Sequence, residues 1–416
     1  MSDNWRRHWQ QLDQLLRQFT SFWQPIPFHT PHPAWIDEAP ALHAWVSSLT
    51  DQACLALQDQ PEKVLAAACA HLPRLETLQA LAHVPAHAPL DAQQLFPLTD
   101  TPLRKAHQAR HLCHALQPLH KPVIDWCCGK GHLARMLAQQ SEQAVTGYER
   151  DAQLVEDGNA LALRFAPSVQ LVQRDVLAPW PDATLTDQHC VALHACGDLH
   201  RQLLRVASKQ RAARISLSPC CYHLAHTGAH QPLSQFVQQQ QIRCMLTAEQ
   251  MRLAVQETVT APARVRALRT KANQWRLGFD VLQRWLRNDN HYLPVPSHPT
   301  ALMHGSFAEF CEWAAQRKGL LLPTTIDFGY WEQKGRGRWQ QVCRHELVRH
   351  LFRRPLELWL ALDYALFLEE QGYQVRVGEF CSRSLTPRNL LLDAQASVIT
   401  VSRTDSTRLS TPRECS

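Results

Sequence analysis

Between Asn4 and Phe19 the apolar residues Trp5, Trp9, Leu12, Leu16 and Phe19 recur every three or four positions, which is the stripe of an amphipathic helix. Two more helical stretches follow, at 41–57 and 61–81, and Pro-rich breaks at 25–40 and 84–102 flank them. Residues 1–120 therefore read as a helical N-terminal module that carries no chemical motif. From Lys121 the texture changes to short β-branched runs alternating with helical stretches, the pattern of a parallel sheet built from β-α-β units. Strands are expected at 123–126, 144–148, 169–173, 190–193 and 215–218, and the sheet resumes at 373–380 and 389–393 after a helix at 355–370. This divides the chain into a sheet domain made of 121–224 and 355–400 and a helical insertion at 225–354. A Ser/Thr/Arg-rich tail at 401–416 is expected to be disordered.

Composition narrows the class of protein. With 416 residues, 45% of them hydrophobic, the chain can bury a sizeable core and exceeds what one simple domain needs. The first twenty residues lack a continuous apolar segment, and nowhere does an apolar run approach a bilayer-spanning length. A cytoplasmic protein without membrane partners is expected, in which the 14 Cys are thiols or ligands rather than disulfides. The net charge of +6 is unevenly placed. Seven Lys/Arg face one acid in 261–287 and seven face two acids in 331–354, so these two windows outweigh an acidic remainder. With Trp275, Trp285, Trp331 and Trp339 among them, they suit phosphates and stacked bases, or are simply solvated helical faces.

The chemistry concentrates where a strand runs through Asp125-Trp-Cys127-Cys-Gly129-Lys-Gly131 directly into a helix. Such a turn aims backbone N–H groups at a ligand, and Gly129 and Gly131 let the chain come close to it. Glu149, at the end of the second strand, can take both hydroxyls of a ribose. Asp175, after the third strand, suits an adenine amino group. Gly129 to Ala134 also spells the G-x-G-x-x-A of dinucleotide binders. Asp125 argues against that reading, because a carboxylate there repels a pyrophosphate and suits the ammonium and sulfonium of S-adenosylmethionine.

The chain resembles the class I methyltransferases of the methyltransferase-like 25 type, with the glutathione-transferase-C-terminal-domain-containing proteins as relatives. More distantly it is similar to the CHHC-zinc-finger tRNA 2′-O-methyltransferases. The segments that carry the likeness are DWCCGKGHL from Asp125, YERD from Tyr148, LHACGDLH from Leu193, SLSPCCYH from Ser216 and LTPRNLLL from Leu385. The resemblance implies a Rossmann-like α/β sheet in the order 3-2-1-4-5-7-6 and a donor site at Asp125, Gly129, Gly131 and Glu149. Cys127 departs from the pattern, since the turn of such proteins begins with Gly.

On the acceptor side, loops from the first, fourth and fifth strands should converge. They bring Cys127 and Cys128, then His194, Cys196 and Asp198, then Cys220, Cys221, Tyr222 and His223. His223 or His194 can serve as base near neutral pH, Tyr222 can stack on a flat acceptor, and Asp198 stands beside them. Zinc is the alternative use of so many thiols. Adjacent Cys pairs fit it poorly, because structural sites separate paired ligands by two to four residues, so no metal is expected. The favoured acceptor is RNA, gripped by Arg264, Arg266, Arg269, Arg336 and Arg338. Methyl transfer to a protein or small molecule, or donor binding without chemistry, remain alternatives.

Overall fold

A computed structural model describes residues 2–87, 103–226, 228–240, 246–256 and 263–397. The tail at 401–416 and most of the Pro-rich break at 84–102 lie outside these residues. Seven strands form one sheet in the order β3-β2-β1-β4-β5-β7-β6. They are β1 Val123–Trp126, β2 Val145–Glu149, β3 Val169–Gln173, β4 His189–Cys196, β5 Arg214–Cys220, β6 Tyr373–Glu379 and β7 Leu390–Ala396. The first five run parallel, and β7 enters antiparallel between β5 and β6. This is the strand order expected of a Rossmann-like class I methyltransferase.

Alternation along the strands divides the core into two faces. Val123 and Val191 join a cluster with Leu112 and Leu116 of helix Leu103–Leu116. Ile124, Trp126 and Cys190 join the opposite cluster. Sequence pattern assigns the helix at 103–116 to the N-terminal module. Its apolar stripe, with Leu112, Cys113 and Leu116, packs on the sheet instead.

The N-terminal helices share the second cluster with the sheet. Trp9 stacks on Trp359 of helix Arg353–Glu370 at 5.5 Å, Phe19 meets Phe352 at 5.3 Å, and Trp5 Nε1 donates to the Val375 carbonyl of β6 at 3.1 Å. Within the insertion, helices Ala263–Arg287, Phe307–Lys318 and Phe328–His350 enclose a smaller core around Trp275, Phe279 and Phe310.

A buried polar chain fixes the antiparallel strand. Arg214 donates twice to Asp393, at 2.7 and 2.9 Å, Ser216 donates to Asp393 at 2.7 Å, and His189 meets Ser216 at 2.8 Å. Burial alone would push the Asp393 carboxyl up, but the bonds from Arg214 more than offset it and hold it below the usual carboxylate range. The β4-β5-β7 seam is thereby set in one register.

Candidate active site

β1 ends in Trp126, and the chain then turns through Cys127, Gly129 and Gly131, all with positive φ (60°, 57° and 67°), into helix His132–Gln139. Cys127 carries the left-handed conformation that a glycine usually supplies, a strain of about 1 kcal/mol or more that the surroundings must absorb. Neighbouring strands hold the loop in place. Cys128 N donates to the Tyr148 carbonyl at 3.0 Å, and Gly147 has no side chain where Cys128 Sγ would meet a Cβ at 2.6 Å. A Cβ on Gly129 would meet nothing within 4 Å. The loop therefore presents open space beside its glycine, as a ligand cradle requires.

Carboxylates surround this cradle. Asp125 is buried and accepts from Ala134 N, in the first turn of the helix, at 3.1 Å. Burial, with a smaller push from Glu149, raises its pKa to about 7. Glu149 accepts from Gly129 N at 3.1 Å through one oxygen and from Arg150 N and Asp151 N at 2.8 and 3.0 Å through the other. Asp175 is exposed just past β3 and accepts from Leu177 N at 2.9 Å. Below them Trp126 stacks on Trp180 at 4.8 Å, and the Arg174 guanidinium lies 4.1 Å over Trp180. Two carboxylates at successive strand ends, an open glycine turn and a buried acid suit a nucleoside carrying a cationic amino-acid tail. That is the chemical form of S-adenosylmethionine.

The loops after β4 and β5 meet at Gly197. Its φ of 58° and ψ of −121° belong to glycine, and a Cβ there would drive into the Leu224 carbonyl oxygen. A bulge between Leu193 and Cys196 gives His194 a φ of 68° and turns it toward the helix at 103–116, where its Nε2 meets Gln108 Oε1 at 3.0 Å. Burial lowers the His194 pKa, and the charges of Arg388 and Lys105 add to the shift. Asp198 accepts from His226 N at 2.7 Å and lies 3.7 Å from Arg201 Nε, so it clamps the two loops together.

Tyr222 is buried, and its hydroxyl has no hydrogen-bond partner among the described residues. It lines a cavity of about 330 Å³ together with Asp198, Arg201, Arg205, His226 and His230. His230 Nε2 is also buried there without a hydrogen-bond partner among the described residues. His223 is half-buried, its Nδ1 is equally without one, and burial with the charge of Arg252 lowers its pKa. It is thus neutral near pH 7 and able to take a proton.

Three cysteine sulfurs, from Cys196, Cys220 and Cys221, lie within 4.8 Å of one another in the same loops. Cys196 Sγ and Cys220 Sγ stand 3.5 Å apart, within hydrogen-bond reach of each other. Gln108 meets His194 and donates to the Arg388 carbonyl at 3.4 Å, and no sequence motif points to Gln108. Neither Gln108 nor Arg388 lies near the cradle or cysteine motifs along the chain, and only the late LTPRN segment hints at Arg388.

The insertion arginines divide. Arg264, Arg266 and Arg269 are exposed, and so is Arg336, in a pair with Glu332 at 3.2 Å. Arg338 does not belong with them. It is 8% exposed and donates to the Pro27 carbonyl and to Gln341, because it sits on the inward face of its helix. Trp275 is likewise buried, bonding Glu332 at 3.0 Å, whereas Trp285 is 59% exposed beside Trp331.

Residues 104–228 match the model of a methyltransferase domain family, methyltransferase domain 32. No curated protein matches the chain. Solved structures share parts of it. A TehB-like S-adenosylmethionine-dependent methyltransferase from Corynebacterium glutamicum is 21% identical over 26% of this chain and 60% of its own, with a TM-score of 0.22. A geranyl diphosphate C-methyltransferase from Streptomyces coelicolor is 21% identical over 32% and 57%, with a TM-score of 0.23. The 23S rRNA methyltransferase ErmE is 22% identical over 26% and 43%, also with a TM-score of 0.23. The chain thus spans less than two thirds of each. Residues 104–228 both match a methyltransferase domain model and lie on a sheet of class I strand order.

Proposed function

We propose that the whole chain is an S-adenosylmethionine-dependent methyltransferase that acts on RNA, and that it is most similar in kind to the methyltransferase-like 25 type. The observation that carries the acceptor reading is the cavity of about 330 Å³ beneath Tyr222, lined by the exposed Arg205 with His226 and His230, while Arg201 in its wall is tied to the Gln231 carbonyl and Asp198. A guanidinium and two imidazoles in a concave polar site suit a phosphate-bearing acceptor. The exposed Arg264, Arg266, Arg269 and Arg336, with Trp285 beside them, extend the same chemistry to a longer chain of phosphates and bases.

Asp125, Gly129, Gly131, Glu149 and Asp175 would hold the donor, with the backbone of Cys127 shaping the turn. When bound there, the donor supplies an electrophilic methyl group. The protein's part is alignment and proton removal. Tyr222 would orient the acceptor against the cavity wall, and His223, its pKa lowered by burial, would take the acceptor's proton while the acceptor lone pair bonds the methyl carbon and the methyl–sulfur bond breaks, leaving a neutral thioether. His194, tied to Gln108, fixes the end of β4 beside the helix at 103–116. Asp198 keeps the two loops in register.

The test is incubation of the full chain with methyl-labelled donor and separate total RNA and total protein fractions. Label should enter RNA and should be lost in His223→Ala. Label entering only the protein fraction would overturn the RNA reading, and donor binding without transfer to any fraction would overturn the catalytic one.

A further inference from the structure

Adjacent cysteines lack the two to four residues that usually separate paired zinc ligands, and on an extended strand they would also point to opposite sides. The folded loop removes that objection. Cys220 closes β5, and Cys221 then turns with a φ of 50°, which brings its sulfur back to the side of Cys220. On the neighbouring strand the bulge after Leu193 sets Cys196 opposite Cys220, with their sulfurs 3.5 Å apart. All three sulfurs lie within 4.8 Å of one another. Thiolates around a tetrahedral zinc, with Zn–S bonds of about 2.3 Å, stand about 3.8 Å apart, so small side-chain rotations suffice to close the set. Two backbone distortions at neighbouring strand ends, both converging three soft ligands on one point, are more than close packing requires.

We propose that Cys196, Cys220 and Cys221 form a three-thiolate site for a zinc ion, with the fourth coordination position open. Three protein ligands with an open fourth position is the arrangement of reactive rather than purely structural zinc. On binding, the three thiols release their protons and the site gains one net negative charge. Iron and copper also bind thiolates, but zinc needs no redox partner, and reduced thiols are sufficient to hold it. The inference is independent of the acceptor and of methyl transfer, because it rests only on the ligand atoms.

The experiment is elemental analysis of the full-length protein, purified under reducing conditions without chelator, and again after chelator treatment and incubation with zinc alone. About one zinc per chain is expected in both samples. Cobalt in place of zinc should give the intense near-ultraviolet absorption of sulfur-to-cobalt charge transfer. Cys196→Ser, Cys220→Ser and Cys221→Ser should each weaken zinc binding by at least about tenfold. Cys69→Ser, a half-buried cysteine of the N-terminal helices, should leave it unchanged. Circular dichroism checks that each variant is folded, and the wild-type reconstitution stands even if one is not. Chelator-treated wild type that takes up no zinc, zinc retained in all three variants, iron or copper in its place, or a Cys196-Cys220 disulfide in the metal-free protein would each overturn the proposal.

Discussion

Glu149 Oε2 accepts the Gly129 amide hydrogen at 3.1 Å, so the end of the second strand and the turn after the first are held together by one carboxylate. Its other oxygen takes two further backbone amides. Glu149→Ala therefore removes both a ligand for the proposed donor and the tie that shapes the cradle. Calorimetry with S-adenosylmethionine should show affinity falling by about 1 to 3 kcal/mol. Unchanged affinity would remove this loop from the donor site.

The buried Asp125 gives donor binding a pH dependence. With a pKa raised to about 7 it keeps its proton through mildly acidic pH, whereas ionisation is what favours the donor's ammonium. Affinity should thus rise as pH climbs toward 7 and level off above it. In the donor-free protein the same group works the other way. The native state binds more protons than the unfolded chain between about pH 4 and 7, so Asp125 contributes a loss of stability as pH rises through that window. Asp125→Asn should flatten the affinity profile at a weaker level, as titration calorimetry from about pH 5.5 to about pH 8.5 would record.

Gly197 is where the loops after β4 and β5 touch. Gly197→Ala should force them apart and lower stability by about 2 to 4 kcal/mol, since both its backbone conformation and its closeness to Leu224 exclude a side chain. Gly129→Ala, where a Cβ meets open space, should cost far less stability and show its effect in donor binding. Thermal unfolding with and without donor separates the two.

The basic residues of the insertion should fall into two groups. Neutralising Arg264, Arg266 and Arg269 should reduce RNA affinity and its salt dependence, with the logarithmic slope dropping by up to about 0.7 for each single-strand phosphate that is no longer neutralised. Arg338→Ala should instead destabilise the fold by about 1 to 3 kcal/mol, leaving the Pro27 carbonyl without its donor, and should leave the salt slope unchanged. Filter binding across salt concentrations, alongside denaturant titration, checks both.

Arg338 also shows what the sequence could have told. Gly335, Arg338, Val342, His345 and Arg349 are all buried at three- and four-residue spacing on one face of their helix, while Arg336 points away. Counting charge over the window conceals that face, although the periodicity is present. The cradle is legible because its parts are local: Asp125, Gly129 and Gly131 sit close together along the chain, and the strand pattern alone puts Glu149 beside them. Less legible is the acceptor side. The partner of His194 is Gln108, 86 positions earlier, and no spacing rule reaches so far. The cysteine cluster is hidden for a different reason, since a left-handed residue at Cys221 and a bulge before Cys196 break the alternation on which strand reasoning depends. The N-terminal helices look like a separate module along the chain only because their partners, Phe352, Trp359 and Val375, come so late in it.

Inserting β7 beside β5 has a consequence for the protein during its synthesis. Arg214 and its partner Asp393 are 179 positions apart. At ordinary elongation rates the ribosome takes on the order of 10 to 40 s to cover that distance. For that interval the five parallel strands can assemble, yet β5 remains an open edge whose Arg214 and Ser216 have no carboxylate to receive them. An unpaired edge of that kind invites pairing with another nascent chain. The helical insertion emerges from the ribosome during this same interval, so the sheet can close only after the insertion has been made, and the yield of native protein should depend on how well that edge is shielded until β7 arrives.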